Sequence, residues 1–199
     1  MAKSGKQWLR RHVTDPYVRQ AKKQGYRSRA AFKLLEIDAR EKLLRPGMTV
    51  VDLGAAPGGW SQVAAAKVAP GGRVIAIDLL PITPISGVAV LKGDFREEML
   101  LRSLEGGKAD VVLSDVSPSL SGIGNVDQAR ALELSAAAID FCRKALKPEG
   151  VFLLKAFQGE AFDDLVARLK SAFRNVKIVK PSASRGESAE IYVVARGLP

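Results

Sequence analysis

The stretch DLGAAPGGW, Asp52 to Trp60, constrains this chain more than any other. The apolar, β-branched run Met48 to Leu53 leads into it and the alanine-rich run Ser61 to Val68 follows, so its glycines fall where a buried strand turns into a helix. Glycine at such a junction lets a ligand approach the backbone closely, and the free N–H groups of the following helix can face a polar group. The turn therefore reads as a nucleotide-cofactor site. It is not the dinucleotide fingerprint: in G-x-G-x-x-G the second glycine would fall at Ala56, and here Pro57 precedes Gly58 and Gly59.

Three more apolar runs end on or near an aspartate. GRVIAIDLLP places Asp78 where an α/β site usually hydrogen-bonds a ribose, VAVLKGDF ends at Asp94, and ADVVLSDVSP reaches Asp115. Any one of these aspartates could be a helix N-cap or a turn former. Together with Asp52 they form a series, and in a parallel sheet the C-terminal strand ends gather along one edge, where ligands bind.

At 199 residues and 47% apolar side chains, the chain can bury one substantial core. Strand and helix patterns alternate after Met48, which predicts an α/β sheet covered on both faces. No apolar run approaches the roughly 18 residues of a membrane span, and MAKSGKQWLRRHV lacks the apolar centre of a signal peptide, so a cytoplasmic protein with no membrane partner is expected. The single cysteine, Cys142, reads as a small packed residue, and the single histidine, His12, as a surface residue. Together they offer no plausible structural zinc site, and no metal is expected.

Charge is unevenly distributed. Residues 1–33 hold Lys3, Lys6, Arg10, Arg11, Arg19, Lys22, Lys23, Arg27, Arg29 and Lys33 against one acid, Asp15, which is +9 of the total +10. A merely solvated surface mixes signs, so this segregation points to a polyanion partner. Trp8 and Tyr17 either stack on bases or dock the segment onto the domain. The segment reads as folded: Asp15-Pro16 is an N-cap with proline at the first helical position. Ser28 can cap a helix whose Ala31, Leu34, Leu35 and Ile37 form an apolar stripe. Arg45-Pro46-Gly47 turns into the first strand, which separates a basic helical extension, residues 1–45, from a compact α/β unit, residues 46–199.

Further along, Asp127 to Leu146 reads as a long helix stopped by Lys147-Pro148-Glu149-Gly150, Val151 to Phe157 as a buried strand, and Glu160 to Phe173 as a helix. Val176 to Val179 and Ile191 to Ala195 complete seven strands, the last two suited to a hairpin, so that one strand runs antiparallel in an otherwise parallel sheet.

In order along the chain, DLGAAPGGWSQV, IDLLPI, GDF, LSDVSP, LLKAFQGE and SAEIYVVA resemble the FtsJ family of S-adenosylmethionine-dependent ribose 2'-O-methyltransferases. Within that family the likeness is to bacterial members that methylate a uridine ribose in large-subunit (23S) ribosomal RNA. The resemblance implies a Rossmann-like methyltransferase fold, S-adenosylmethionine as cofactor, and action on 23S rRNA, on the assembled large subunit; no coiled-coil or interface pattern stands in the sequence, so a monomer is expected. A ribosome-assembly factor whose methyl transfer is incidental, or a methyltransferase for transfer RNA or an mRNA cap, are the alternatives.

A ribose hydroxyl is a poor nucleophile at neutral pH, so catalysis must orient it and remove its proton. Lys155 interrupts the apolar strand VFLLKAF, where a cation is costly unless it is partnered or loses its proton, and Lys33 is a candidate neighbouring cation. By resemblance, Lys33, Asp115, Lys155 and Glu190 match the family's catalytic set. Lys155 would accept the proton, Asp115 hold base and hydroxyl, Lys33 orient the ribose or its phosphate, and Glu190 position Lys155. The matching cofactor positions are Gly58 and Trp60 in the turn, Asp78 for the ribose, Asp94 near the adenine, and Asp115 near the methionine end. Plainer readings exist: Lys33 on the surface, Glu190 guarding an edge strand, Trp60 in the core. The family commonly shows asparagine after the proline of its LSDxSP-like segment, and here Pro118 is followed by Ser119.

Overall fold

The computed structural model describes residues 15–102, 104, 107–118, 121–122, 124–184 and 188–198. Lys3, Lys6, Trp8, Arg10, Arg11, His12 and Ser119 lie outside them. The strands are β1 (Thr49–Leu53), β2 (Arg73–Asp78), β3 (Val88–Lys92), β4 (Ala109–Ser114), β5 (Leu146–Phe157), β6 (Asn175–Val179) and β7 (Glu190–Arg196). The helices are α1 (Pro16–Lys23), α2 (Ala30–Glu41), α3 (Gly59–Val68), α4 (Glu98–Arg102), α5 (Gly124–Ala145) and α6 (Phe162–Ala172).

One sheet runs in the order β3-β2-β1-β4-β5-β7-β6. Strands β3, β2, β1, β4 and β5 pair in parallel, and β7 is antiparallel to both its neighbours, β5 and β6. This is a Rossmann-like methyltransferase arrangement, seven strands with helices on both faces, as the sequence predicts. The chain reverses its direction of travel across the sheet between β1 and β4, and ligands of open α/β sheets bind beside such a switch, outside the carboxyl ends of the strands.

The central strands sort their side chains with period two. On one face Val51, Leu53, Val112, Phe152, Leu154 and Val193 pack with Ile139, Phe141 and Cys142 of α5 and with Leu165 and Leu169 of α6. On the other, Val50, Val111, Leu113, Leu153 and Tyr192 meet Ala31, Leu34 and Ile37 of α2 and Trp60, Val63 and Ala64 of α3. Because parallel strands are covered on both sides, their sequences are nearly unbroken apolar runs, and a polar residue within them is conspicuous.

Three local details differ from expectation. Ser28 does not cap α2, whose N-cap is Arg29 without a side-chain bond; its hydroxyl instead lies over Gly59, where a Cβ would come within 2.3 Å of it. Strand β5 begins at Leu146, which pairs with Ala109, and the next partners are Val111 and Val151, so Lys147 to Gly150 form an irregularity within the strand. Strand β7 lies inside the sheet, so Glu190 is not guarding an edge. At the amino end, Asp15 caps α1 as predicted, accepting from the Tyr17 N–H at 3.0 Å. Tyr17 docks its ring on Phe32 with centroids 5.6 Å apart. No helix among the described residues is long and apolar enough to cross a membrane.

Candidate active site

The carboxyl ends of β1, β2 and β4 open onto a cleft of about 550 Å³. Gly54 and Ala56 form one wall, Asp78 and Leu80 another, and Asp94, Asp115 and Pro118 are among the groups that complete it. The volume is within the usual range for small-ligand pockets, about 300–1,000 Å³. Gly54 adopts φ +69, and a Cβ there would lie 3.0 Å from the Val116 Cα, so only glycine lets β1 and the loop after β4 approach this closely at the wall of the cleft.

Each aspartate along the edge has a distinct environment. Asp78 accepts from the Ala56 N–H at 2.9 Å and the Leu80 N–H at 2.8 Å, pinning the glycine-rich turn against the loop after β2. Asp94 is gripped by Arg96, whose Nε stands 2.9 Å from both carboxylate oxygens and whose Nη2 stands 2.5 Å from Oδ2. The Arg96 hydrogen bonds hold the Asp94 carboxyl below the ordinary carboxylate range. Asp52 is wholly buried beneath the turn, with Oδ2 accepting from the Ser61 hydroxyl at 2.6 Å. Burial, and then the charges of Asp115 and Asp78, push its carboxyl up to about 7 against the pull of Ser61.

In the turn, Gly58 takes φ +107, and α3 starts at the next residue. The first bond of the helix is from the Gln62 N–H to the Gly58 carbonyl, 3.0 Å, which leaves the first-turn N–H groups without helical acceptors. Trp60 belongs to the turn through its backbone, while its side chain takes the core position that the plainer reading gave it. Its indole is 2% exposed, donates Nε1–H to the Ala30 carbonyl at 2.8 Å, and packs against Tyr192. The side chain joins α3 to α2 in the core, and only its backbone faces the turn.

Beyond Asp115 lie the two buried lysines. Lys155 Nζ donates to the Asp115 carbonyl at 2.7 Å and stands 3.0 Å from its Oδ1. Lys33, on α2, donates to Glu190 Oε1 at 2.6 Å, and the Ser184 hydroxyl donates to the same oxygen at 2.9 Å. Burial opposes ionisation of Glu190, but the Lys33 charge and these bonds outweigh it and lower the carboxyl below its ordinary range. The four residues thus stand as two pairs, Lys155 with Asp115 and Lys33 with Glu190. Glu190 was expected to position Lys155; its carboxylate accepts hydrogen bonds from Lys33 and Ser184 and interacts with Lys155 through charge. Lys33 is buried, contrary to the plain surface reading. Tyr192, on β7 opposite Lys155, lies between the pairs: burial and the Asp115 and Glu190 carboxylates drive its phenol well above the ordinary value.

Sequence reasoning overlooked Ser184 and Arg96. Ser184 sits in a loop fastened by Glu36, which accepts from the Ser182 N–H at 2.8 Å and the Ala183 N–H at 3.1 Å, a link between α2 and a segment almost 150 residues later that no local pattern reveals. Arg96 had a usable signal, a cation two residues after a strand-end aspartate. The basic segment is also less free than its sequence implies. Arg29 is bonded to Asp15 and the Ala183 carbonyl and Lys33 to Glu190, while Arg19, Lys22 and Lys23 are exposed.

A family model described as FtsJ-like methyltransferase matches residues 26–198. Among solved structures, a ribosomal RNA methyltransferase from Plasmodium falciparum is similar at 27% identity and TM-score 0.78, over 87% of this chain and 98% of that one. Aeropyrum pernix fibrillarin, solved with natively bound S-adenosyl-L-methionine, shares the fold at 18% identity and TM-score 0.62, over 85% of this chain and 75% of that one. An rRNA-methylase from Clostridium thermocellum does so at 16% identity and TM-score 0.60, over 84% and 97% of the two chains.

Proposed function

Since the chain belongs to the FtsJ-like methyltransferase family, we propose that it methylates the 2'-hydroxyl of a uridine ribose in 23S ribosomal RNA, on the assembled large subunit, with Lys155 as general base. The observation that carries this reading is the Lys155–Asp115 pair, a buried lysine amine held 2.7 Å and 3.0 Å from two oxygens of a residue that itself lines the cleft.

The residues present fit S-adenosylmethionine. The cleft is large enough, its glycine wall has no room for a Cβ at Gly54 against Val116, and its carboxylates suit hydroxyl, amino and sulfonium groups. Asp78 would hold the ribose hydroxyls, Asp94 would stand near the adenine, Asp115 near the methionine end, and the Gly58 turn and the Trp60 backbone would line the approach. When bound, the cofactor supplies a methyl group on a sulfonium, whose C–S bond breaks as the new C–O bond forms.

The chain's own task is to place and deprotonate the ribose hydroxyl. Lys155, in its neutral form, accepts the hydroxyl proton, and Asp115 fixes the direction of the amine by binding it at two points. A general base contributes typically about 10²- to 10⁴-fold, and alignment of the reacting groups supplies much of the rest. Lys33, neutralised by Glu190 and supported by Ser184, orients the nucleotide from the α2 side. The exposed cations of α1 bind phosphates.

The test is methyl transfer from labelled S-adenosylmethionine to large-subunit rRNA by wild type and Lys155→Ala, alongside cofactor affinity by calorimetry. Loss of transfer by about 10²-fold or more with affinity retained supports the lysine base. Equal rates overturn it.

A further inference from the structure

Arg27 belongs to the segment whose charge the sequence assigns to RNA, yet its guanidinium binds backbone carbonyls of the protein itself. Nη1 donates to the Thr83 carbonyl at 2.5 Å and to the Pro57 carbonyl at 3.2 Å, and Nη2 donates to the Pro84 carbonyl at 2.7 Å. Pro57 lies in the glycine-rich turn, and Thr83 and Pro84 in the loop that follows Asp78, so one side chain joins two of the loops that contribute to the cleft.

The backbone around Arg27 is fastened to the same place. Its N–H donates to Gln62 Oε1 at 2.8 Å, and Gln62 Nε2, from the first turns of α3, donates to the Gly25 carbonyl at 3.0 Å. A Cβ on Gly58 would stand 3.4 Å from the Arg27 Cδ, so the arginine stem lies directly against the turn.

We propose that Arg27 is a positioning residue for cofactor binding: by bridging the Pro57 carbonyl to those of Thr83 and Pro84 it holds the glycine-rich turn and the loop after β2 at the spacing the cofactor requires. The guanidinium suits this task because it is a rigid fork with five donors and a permanent charge. An ammonium carries its three donors on one atom and lacks the spread of the fork between acceptors on two loops. Hydrogen bonds from a charged donor are also stronger than neutral ones. Three of its guanidinium hydrogens are committed to these carbonyls, which favours this bridging task over the phosphate binding that its position in the sequence suggests. The proposal rests on the reading of the cleft as an S-adenosylmethionine site.

The experiment uses the full chain as wild type, Arg27→Ala, Arg27→Lys and Gln62→Ala. S-adenosylmethionine affinity is measured by calorimetry, kcat and both KM values by methyl transfer, and RNA binding across a salt series. Arg27→Ala is expected to weaken cofactor binding and raise the cofactor KM by about tenfold or more, with kcat at saturating cofactor within about twofold. The salt slope of RNA binding is expected to stay as in wild type, and Arg27→Lys to fail to restore affinity. Unchanged cofactor affinity, or a loss confined to RNA affinity with a flattened salt slope, overturns the proposal. If Arg27→Ala does not fold, Arg27→Lys and Gln62→Ala carry the test, and cofactor affinity equal to wild type in both overturns it. Failure of the wild type itself to bind S-adenosylmethionine would instead overturn the reading of the cleft.

Discussion

Lys155 and Lys33 are both buried, and each meets a carboxylate, but the pairs differ in what surrounds them. Lys33–Glu190 has a further donor in Ser184 and is a closed ion pair. Removing one partner strands the other charge in a poorly solvated place, so Glu190→Ala is expected to lower stability by about 3 kcal/mol in denaturant unfolding. Asp52 is a different case, an acid whose folded-state value of about 7 lies above the ordinary 3.8. Between those values the folded chain binds more protons than the unfolded chain, so this group's contribution to stability falls as pH rises from about 4 to about 7, then levels off. Asp52→Asn keeps an acceptor for the Ser61 hydroxyl and removes the titration. Its stability relative to wild type should therefore rise across that window and stay flat above it, as read from urea unfolding at pH 5 and pH 8. At this scale the sequence was informative where chemistry contradicted context. Lys155 stood out because a lysine within VFLLKAF is costly, and the structure places it beside Asp115 as a buried, partnered amine. Whether Trp60 meets the site by its ring or its backbone was not legible, because the direction of an indole depends on what packs over the helix, here the Ala30 carbonyl of α2 and the ring of Tyr192.

The glycine-rich turn is the element on which the site depends. Gly58 occupies φ +107, and a Cβ added there would approach Ile85 Cδ1 to 2.5 Å. Gly58→Ala is expected to destabilise the fold by about 1–2 kcal/mol through backbone strain alone and to weaken cofactor binding more than it lowers kcat, checked by thermal unfolding and calorimetry. The element pattern itself was legible. Apolar runs ending at Asp78, near Asp94 and near Asp115 are the strands β2, β3 and β4, and their aspartates do gather at one cleft. What the pattern did not reveal was partnership across the sheet. Glu190 meets Lys33 because β7 inserts between β5 and β6 and brings its start under α2, a consequence of strand order rather than of any local signal. The same holds for the Glu36 link to Ser182 and Ala183.

Over the whole molecule, positive charge is concentrated at the amino end while the remaining 166 residues carry only +1 of the net +10. The sequence made this segregation plain, but it could not show which cations are occupied. Arg27, Arg29 and Lys33 are bonded within the protein, which leaves Arg19, Lys22 and Lys23 of the described segment exposed on α1. Phosphate contacts release counterions, so neutralising those three together should reduce the slope of log affinity against log salt by up to about 2. Neutralising Arg27 should leave it unchanged. The most direct test of the function proposed is to incubate undermodified large ribosomal subunits with labelled S-adenosylmethionine and map the product by primer extension sensitive to 2'-O-methyl groups, with wild type and Lys155→Ala in parallel. A single ribose mark on a uridine of the large-subunit RNA, absent with Lys155→Ala, is the predicted result. No mark on the subunit, or one that persists without Lys155, would contradict it.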